Sequence, residues 1–532
     1  MVIITGNAGD GKTAFIRKIE SKAENVKKLV NGNGVTFGIN GVTFQSNYDG
    51  SQDEDQKAND DVLSAFFKPF ENLTDYSKAR EGRVIAINEG RLVEFLHTVA
   101  AYKQLADTIE NYFYTEGKSP LPEGLLIINL NLRSVVATAN NRESLFKQQV
   151  KSLTQKTLWA GCENCSAAEN CFIKYNVSSL NDSAVGNEII ERMEWLLRTV
   201  SLKRELHITM RDLRSFIAFT LTKDFQCHEV KEKLDANMGD YLDWWKLYYF
   251  NISDNSATDS AQQDRLIKLI RETDVAETAV PSLDRDLYFG LHQPEQFLDF
   301  EERSTQLLSQ FNDVKILIPL HDQTDNIQKR ILTTQKILVR HQYFEGKINY
   351  RSRLPYHSVF DFHDLLIGAS ANKEEMMSNT KQSIAKAISL NEGCNNESIY
   401  SKNLVLSSAQ VKDPSSKSYR LFGLSNFELI VNSAAQLTNY LEYEPDSLIF
   451  RSLTDKKVSL TISLDLFEML YFISQGYSPS LNDIRGRFVE LQIFKNLLEN
   501  QEYKEVIVTG DNELFYSIKI NEQYKLELQP LT

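Results

Sequence analysis

The feature that most constrains this 532-residue chain is a phosphate-binding motif within its first thirteen residues. The motif has the pattern G-x-x-x-x-G-K-T and comprises Gly6, Asn7, Ala8, Gly9, Asp10, Gly11, Lys12 and Thr13. It follows the apolar run at residues 2–5 and precedes a helix-like stretch, the context in which such a loop binds phosphates. We therefore predict a P-loop whose backbone N–H groups cradle a triphosphate. Lys12 would reach the β and γ phosphates, and Thr13 would ligate Mg²⁺.

Length, charge and cysteine content limit the class of protein. A chain of 532 residues predicts about two to four domains, and it has no apolar run of the roughly 18 residues that a membrane span requires. No secretory signal is visible at the N-terminus, and five cysteines are too few for a disulfide scaffold. We expect a cytoplasmic protein. The net charge of −13 disfavours indiscriminate nucleic-acid binding.

The chain starts very close to the first strand of the predicted nucleotide domain. ATPases of the AAA-like kind usually carry a segment upstream of this strand that contacts the base. Two alternatives therefore remain open: another part of the chain holds the base, or the natural protein begins upstream of Met1.

A second strand-like run, residues 83–87, ends in Asn88 and Glu89. In nucleotide hydrolysis an Asp at such a strand end usually orients Mg²⁺, and a following Glu polarises the attacking water. Because Asn88 stands where the Asp is expected, we predict weaker metal binding and slow turnover. Glu89 is the candidate for activating the water, and a buried strand with a polar end is the alternative.

A third run, residues 125–131, predicts another buried parallel strand with polar residues at its carboxyl end. Ligands of open α/β sheets bind at these strand ends. Asn129 or Asn131 is therefore a candidate for sensing the γ-phosphate or holding the attacking water. Turn or capping asparagines are the alternative.

Thr209 and Asp212 have the spacing of a capping box, which predicts the start of a helix. We expect this helix to act as a lid. Arg211 and Arg214 lie in its first turns, where an arginine that faces the phosphates stabilises the transferred charge. Ordinary exposed helix arginines are the alternative.

Three of the five cysteines cluster with the spacing C-x2-C-x5-C, at Cys162, Cys165 and Cys171. A C-x2-C turn presents two thiolates to one metal, and tetrahedral Zn²⁺ takes four ligands. Cys227 is the nearest candidate for the fourth ligand, since Cys394 lies far downstream. We predict one structural Zn²⁺ that joins this insert to the lid. An iron–sulfur cluster on the same thiolates and the absence of a metal are the alternatives.

Two segments differ in charge from their surroundings. Residues 47–55 are polar and acid-rich and predict a solvated loop or mobile flap. Residues 329–353 carry seven Lys or Arg against one acid, and we call them the basic segment. Arg340 and Arg351 belong to the basic segment and are candidates for binding the phosphates of a DNA backbone. A solvated helix face or a dock for an acidic partner is the alternative.

The fold class that these patterns predict is α/β. We expect an AAA-like P-loop NTPase with a parallel sheet and a helical lid, followed by a helical region and a C-terminal α+β module. The four predicted parts are a nucleotide-binding domain at 1–155, the cysteine-rich insert and helical lid at 156–235, a mostly helical domain with the basic segment at 236–400, and the α+β module at 401–532.

The chain resembles a family of bacterial defence proteins, the F component of the DNA phosphorothioation-dependent restriction system. The resemblance rests on the P-loop, residues 86–92, the three-cysteine insert, residues 283–285, and residues 464–468 with 476–477. It implies an ATP-binding and ATP-hydrolysing subunit that works with G and H components. The complex would restrict DNA that lacks the protective sulfur, with the nuclease in another subunit.

Two other functions are compatible with the same residues. One is a signalling NTPase that switches on nucleotide exchange without contacting DNA. The other is a scaffold that binds ATP but barely hydrolyses it, which Asn88 favours. DNA-stimulated ATPase activity would distinguish the restriction subunit from the signalling protein.

Overall fold

The computed structural model describes most of the chain, in two compact units. The described residues are 1–52, 58–138, 142–203, 206–235, 263–290, 325–346, 350–368, 372–408, 417–480, 488–501, 503, 505–510, 514–521 and 523–531. Unit 1 comprises Met1–Ser201, Glu205–Pro355 and Ser433–Glu444, and unit 2 comprises Leu202–Arg204, Tyr356–Asn432 and Pro445–Thr532. The finer four-part division stays a prediction, because residues 236–262 and 291–324 of its helical domain lie outside the described residues.

Unit 1 is built on a six-stranded sheet that contains parallel and antiparallel pairs. Its strands are β1 (Val2–Thr5), β2 (Glu24–Lys28), β3 (Val35–Ile39), β4 (Val42–Asn47), β5 (Gly82–Ala86) and β6 (Leu126–Asn129). The order across the sheet is β2-β3-β4-β5-β1-β6. Strands β4, β5, β1 and β6 are parallel to their neighbours, whereas β2, β3 and β4 pair antiparallel. The carboxyl ends of the four parallel strands therefore meet at one edge, which we call the carboxyl edge.

Helices connect and follow these strands along the chain up to residue 345. They are α1 (Lys12–Glu20), α2 (Asn59–Phe67), α3 (Glu89–Thr98), α4 (Lys103–Tyr114), α5 (Leu145–Leu153), α6 (Phe172–Leu180), α7 (Gly186–Leu202), α8 (Met210–Thr222), α9 (Cys227–Asp235), α10 (Arg265–Glu272), α11 (Pro281–Gly290) and α12 (Asp325–Glu345). In the part of the chain that the structure describes, no helix has the length and apolar character needed to cross a bilayer.

Strands β1 and β5 at the centre of the unit 1 sheet are buried on both faces, which explains why they are mostly apolar. Successive side chains of a strand point to opposite faces. Ile3 and Ile85 therefore face a cluster with side chains of α2, α3 and α4. Their chain neighbours Ile4 and Ala86 face a second cluster with α1 and residues 433–444. The predicted α/β class is confirmed as a mixed α/β fold with a parallel-containing sheet, whereas the antiparallel pairs β2-β3 and β3-β4 were not predicted.

Unit 2 combines two antiparallel sheets with helices. Its strands are β7 (Asn403–Ser407), β8 (Lys417–Gly423), β9 (Phe427–Val431), β10 (Leu448–Ser452), β11 (Ser459–Ile462), β12 (Glu505–Thr509), β13 (Phe515–Ile520) and β14 (Leu526–Leu531). Its helices are α13 (Val359–Ile367), α14 (Lys373–Asn391), α15 (Glu397–Tyr400), α16 (Leu464–Ser474) and α17 (Val489–Glu499). The sheets have the orders β11-β10-β9 and β14-β13-β12-β8-β7.

Candidate nucleotide-binding site

The predicted phosphate-binding loop connects β1 to α1 at the carboxyl edge. Its path depends on glycine, because Gly9 and Gly11 have φ angles of +100° and +88°, a region that other residues rarely adopt. A Cβ at Gly9 would also lie 2.8 Å from the Cβ of Arg211. The loop and the start of α8 are therefore packed too closely for a side chain at this position.

The two side chains predicted to act on the nucleotide lie at the end of the loop. The Lys12 ammonium donates to the carbonyl oxygens of Gly6 at 2.8 Å and Asn7 at 3.0 Å. Burial lowers the pKa of Lys12, and the carboxylates of Asp10 and Asp49 oppose this shift. The Thr13 hydroxyl donates to the Tyr48 carbonyl over 3.2 Å. The ammonium is thus held over the loop by neutral acceptors, which bind it less strongly than an anionic phosphate does.

Asp10 acts as an internal anchor of the loop. Its side chain is buried and accepts from the backbone N–H of Asn7 at 2.7 Å. Arg133 donates to its carboxylate at 3.3 Å and to its carbonyl oxygen at 3.2 Å. The His207 ring lies 3.1 Å from the same carboxylate. Sequence reasoning missed Arg133 and His207, since neither lies in a motif and both reach the loop only through the fold.

The predicted Asn-Glu pair lies at the end of β5, beside the P-loop strand. The Asn88 side chain accepts from the backbone N–H of Gly90 at 3.0 Å and caps α3. Glu89 accepts a hydrogen bond from the Asn131 amide at 3.3 Å. Burial raises the pKa of Glu89, and the hydrogen bond from Asn131 opposes this shift. The amide oxygen of Asn88 is therefore engaged as a helix cap, while Glu89 has the environment of a proton acceptor.

The two asparagines predicted at the end of β6 have different surroundings. Asn129 lies opposite Thr5 in the sheet, and its side chain accepts from the backbone N–H of Asn131 at 3.0 Å. The carbonyl oxygen of the Asn131 side chain and the Thr5 hydroxyl are buried and have no hydrogen-bond partner among the described residues. Unpartnered buried polar atoms are rare in native proteins. Two of them at the carboxyl edge indicate a place for a polar ligand or for water.

Asp49 is a further acidic residue at this edge, and sequence reasoning placed it in a solvated loop. It follows β4, and Asn33 holds its backbone through two hydrogen bonds of 3.1 Å. Its charge acts on Lys12. The one sequence signal for this role of Asp49 was its position just after residues 42–47. That run was not recognised as a parallel strand, because polar residues alternate with its apolar ones. Residues 53–57 of the predicted flap lie outside the described residues.

The structure separates the two arginines predicted on the lid helix. Thr209 and Asp212 form the predicted capping box at the start of α8. The Nε of Arg211 lies 3.4 Å from where a Cβ of Gly9 would be, so Arg211 borders the P-loop. Arg214 is exposed and donates to the Gln149 side chain at 3.2 Å. Among the two candidates, only Arg211 lies next to the phosphate-binding loop.

The oxygen donors near the loop fit the chemistry of Mg²⁺. This ion prefers hydroxyl, carboxylate and water oxygens and usually takes only one or two carboxylates from the protein. Thr13, Asp49 and Glu89 supply donors of this kind at neighbouring strand ends of the carboxyl edge.

The four cysteines predicted to bind zinc surround one small cavity of about 20 Å³, lined by Cys162, Cys165, Cys171 and Cys227. Burial raises the pKa of the Cys162 thiol, and the nearby thiols add to this shift. Their chemistry fits Zn²⁺. As the described residues are placed, however, no group of three or more His, Cys, Asp or Glu side chains forms a ready-made metal site. The zinc therefore stays a prediction.

The expectation that Arg340 belongs to an exposed DNA-binding face is wrong. Arg340 is 2% exposed and forms an ion pair with Asp274, with Nε 3.1 Å from the carboxylate. Arg353 is equally buried and pairs with Asp284. Neither guanidinium can reach a DNA backbone from these positions. Arg351 is exposed, whereas Lys347 lies outside the described residues.

Comparison with known proteins identifies no matching family model, no matching curated protein and no matching solved structure. The interpretation of the site therefore depends on its own residues and their geometry.

Proposed function

We propose that this protein is a P-loop NTPase that binds ATP with Mg²⁺ at the carboxyl edge of the unit 1 sheet and hydrolyses it slowly. The observation that carries the proposal is the G-x-x-x-x-G-K-T loop between β1 and α1, with the Lys12 ammonium held over it. The acidic residues Asp49 and Glu89 follow two parallel strands of the same sheet. A phosphate-binding loop with carboxylates at neighbouring strand ends favours phosphoryl transfer.

Each of these residues has a role in the proposed reaction. Backbone N–H groups of residues 6–13 bind the phosphates, and Lys12 and Arg211 supply positive charge. Mg²⁺, when bound, would neutralise charge that develops on the phosphates. Glu89 accepts a proton from the attacking water, and its raised pKa suits this role. Asn131 holds the Glu89 carboxylate in place.

Replacing Lys12 with Ala tests the nucleotide site. Hydrogen bonds to charged groups contribute about 1.5–3 kcal/mol each, so ATP affinity should fall on the order of 100-fold. Isothermal titration with ATP and Mg²⁺ measures the change. Lys18→Ala is the matched control, because Lys18 is exposed on the same helix. Equal ATP affinity in K12A and K18A would contradict the proposal.

The resemblance to the restriction F component supports a more specific proposal. In it, the protein is the ATPase subunit of a DNA restriction complex, acts with G and H components, and meets DNA directly or through them. The alternative is a signalling or scaffold NTPase that does not contact DNA. Addition of DNA and partner subunits should stimulate ATP turnover in the first case. An unchanged rate in their presence would favour the second.

One structural Zn²⁺ on the four thiols remains part of the proposal, since all four line one cavity. Elemental analysis of purified protein should find close to one zinc per chain. Cys227→Ser should lose it, whereas Cys394→Ser should keep it, because Cys394 lies in a core cluster of unit 2. Absence of zinc from the unsubstituted protein, or its loss in C394S alone, would contradict this ligand set.

A further inference from the structure

Residues 433–444 form a segment that belongs to unit 1, although the strands before and after it belong to unit 2. We call this segment the strap. Its apolar side chains Ala434, Leu437 and Leu441 are buried in the cluster that contains Ile4 and Ile16. Ile4 precedes the P-loop in β1, and Ile16 follows it in α1. The strap therefore shares one hydrophobic cluster with residues just before and just after the phosphate-binding loop.

Polar contacts fix the strap along its length. The Tyr440 hydroxyl lies 3.2 Å from that of Tyr112, and the Gln436 amide donates to the Gly117 carbonyl. Near the end of the strap, the backbone N–H of Ser134 donates to the carbonyl oxygen of Glu442 at 2.7 Å. These bonds join the strap to α4 and to the chain that follows β6.

The bond to Ser134 brings the strap next to a residue that holds the P-loop. Arg133 precedes Ser134 in the chain, and its side chain is 10% exposed. It donates to the carboxylate of Asp10 inside the loop, while its Nε is buried without a partner among the described residues. Burial lowers the pKa of Arg133, and the carboxylates of Asp10 and Glu442 oppose this shift. The Arg133 guanidinium thus contacts one acid of the loop and is attracted by the charge of one acid of the strap.

We propose that the strap senses the nucleotide bound to the P-loop, with Arg133 as the positioning residue that couples them. Phosphates bound beside Asp10 add negative charge that competes for the Arg133 guanidinium. Because Ser134 is bonded to the strap, a shift of Arg133 is transmitted to residues 433–444. Along the chain the strap is preceded by β9 and followed by β10. This inference rests on the proposed ATP site.

Hydrogen exchange of the full chain tests the coupling. Peptides that cover residues 433–444 are compared without nucleotide and with saturating ATP and Mg²⁺, after titration has established binding. Coupling between sites typically amounts to 5- to 150-fold in an equilibrium constant, so exchange of the strap should change about fivefold or more. In Glu442→Gln this response should shrink, because the neutral amide no longer attracts Arg133. Glu444→Gln is the matched control, since Glu444 pairs with Arg198.

The outcomes separate the two proposals. If the unsubstituted protein binds ATP but exchange of the strap does not change, the coupling is refuted and the ATP site stands. Equal responses in E442Q and E444Q would also refute the role of Glu442 and Arg133. If the unsubstituted protein binds no ATP, both proposals fail.

Discussion

The P-loop and the basic segment were both predicted to bind phosphates, yet their cationic side chains have different surroundings in the structure. In the P-loop, Lys12 is held over the loop and acidic residues lie at the neighbouring strand ends. In the basic segment, Arg340 and Arg353 are buried in ion pairs. The prediction of the P-loop used the spacing of residues within one eight-residue motif. The prediction for the basic segment used only the local density of positive charge. Spacing within a motif specifies geometry, and charge density does not.

The reason lies in where the partners of each cation come from. Lys12 finds its carbonyl partners five and six residues away, inside the motif itself. Arg340 and Arg353 find their acids 66 and 69 residues away. A distant acid that neutralises a cation is invisible in a local count of charges. The basic segment is consequently part of the interior framework of unit 1 at these two positions.

The largest expected effect is on ATP turnover when Glu89 is replaced. This replacement distinguishes catalysis at the P-loop from phosphate binding alone. Positioned general bases typically contribute about 10²- to 10⁴-fold to a rate, so Glu89→Gln should lower ATP turnover by such a factor while ATP still binds. Steady-state phosphate release measures this. Glu94→Gln is the matched control, because Glu94 is exposed on the same helix.

The pH dependence of turnover provides a second measurement on Glu89. The carboxylate is active when deprotonated, and burial raises its pKa. Turnover should therefore fall, as the pH is lowered, at a higher pH than an ordinary Glu would produce. Equal turnover in E89Q and E94Q would reject Glu89 as the base. ATP binding without measurable turnover in the unsubstituted protein would leave the scaffold as the better description.

The next largest effect is a loss of stability on replacing Arg340, which tests the interpretation of the basic segment. Removing one partner of a buried ion pair typically costs about 3–5 kcal/mol, so Arg340→Ala should lower the free energy of unfolding by this amount. Replacing the exposed Arg351 with Ala should lower the free energy of unfolding by about 0.5 kcal/mol or less. Urea denaturation followed by circular dichroism measures both. Unchanged stability in R340A, together with lost DNA binding, would restore the DNA-binding interpretation of the basic segment.

Much of the fold was predictable where one strand or helix carries a strong local pattern. The apolar strands β1, β5 and β6 and the start of α8 at its capping box were identified within a few residues. The antiparallel strands β2 and β3 were not, because β2 consists of exposed, mostly polar residues. The strap was also missed, since its assignment to unit 1 depends on packing against residues more than 300 positions away, as in the Tyr112–Tyr440 contact.

The candidate site shows the same limit. The pairing of Glu89 with Asn131 follows from two strand ends that the sequence placed at one edge. By contrast, Arg133 and His207 reach Asp10 from 123 and 197 residues away. Nothing in the local sequence distinguishes them from surface residues. A motif therefore predicts the centre of the site, and the fold supplies the residues that hold it.

The smallest of these effects concerns Asp49, the acid that sequence reasoning assigned to a solvated flap. If Asp49 orients a Mg²⁺-bound water, Asp49→Asn should weaken the Mg²⁺ dependence of ATP turnover about tenfold, as loss of an outer-shell partner of a metal does. Turnover measured across Mg²⁺ concentrations gives the midpoint. Asp61→Asn is the control, because Asp61 is exposed on α2. Identical midpoints in D49N and D61N would return Asp49 to the solvated loop and leave Glu89 as the remaining acidic candidate at the strand ends.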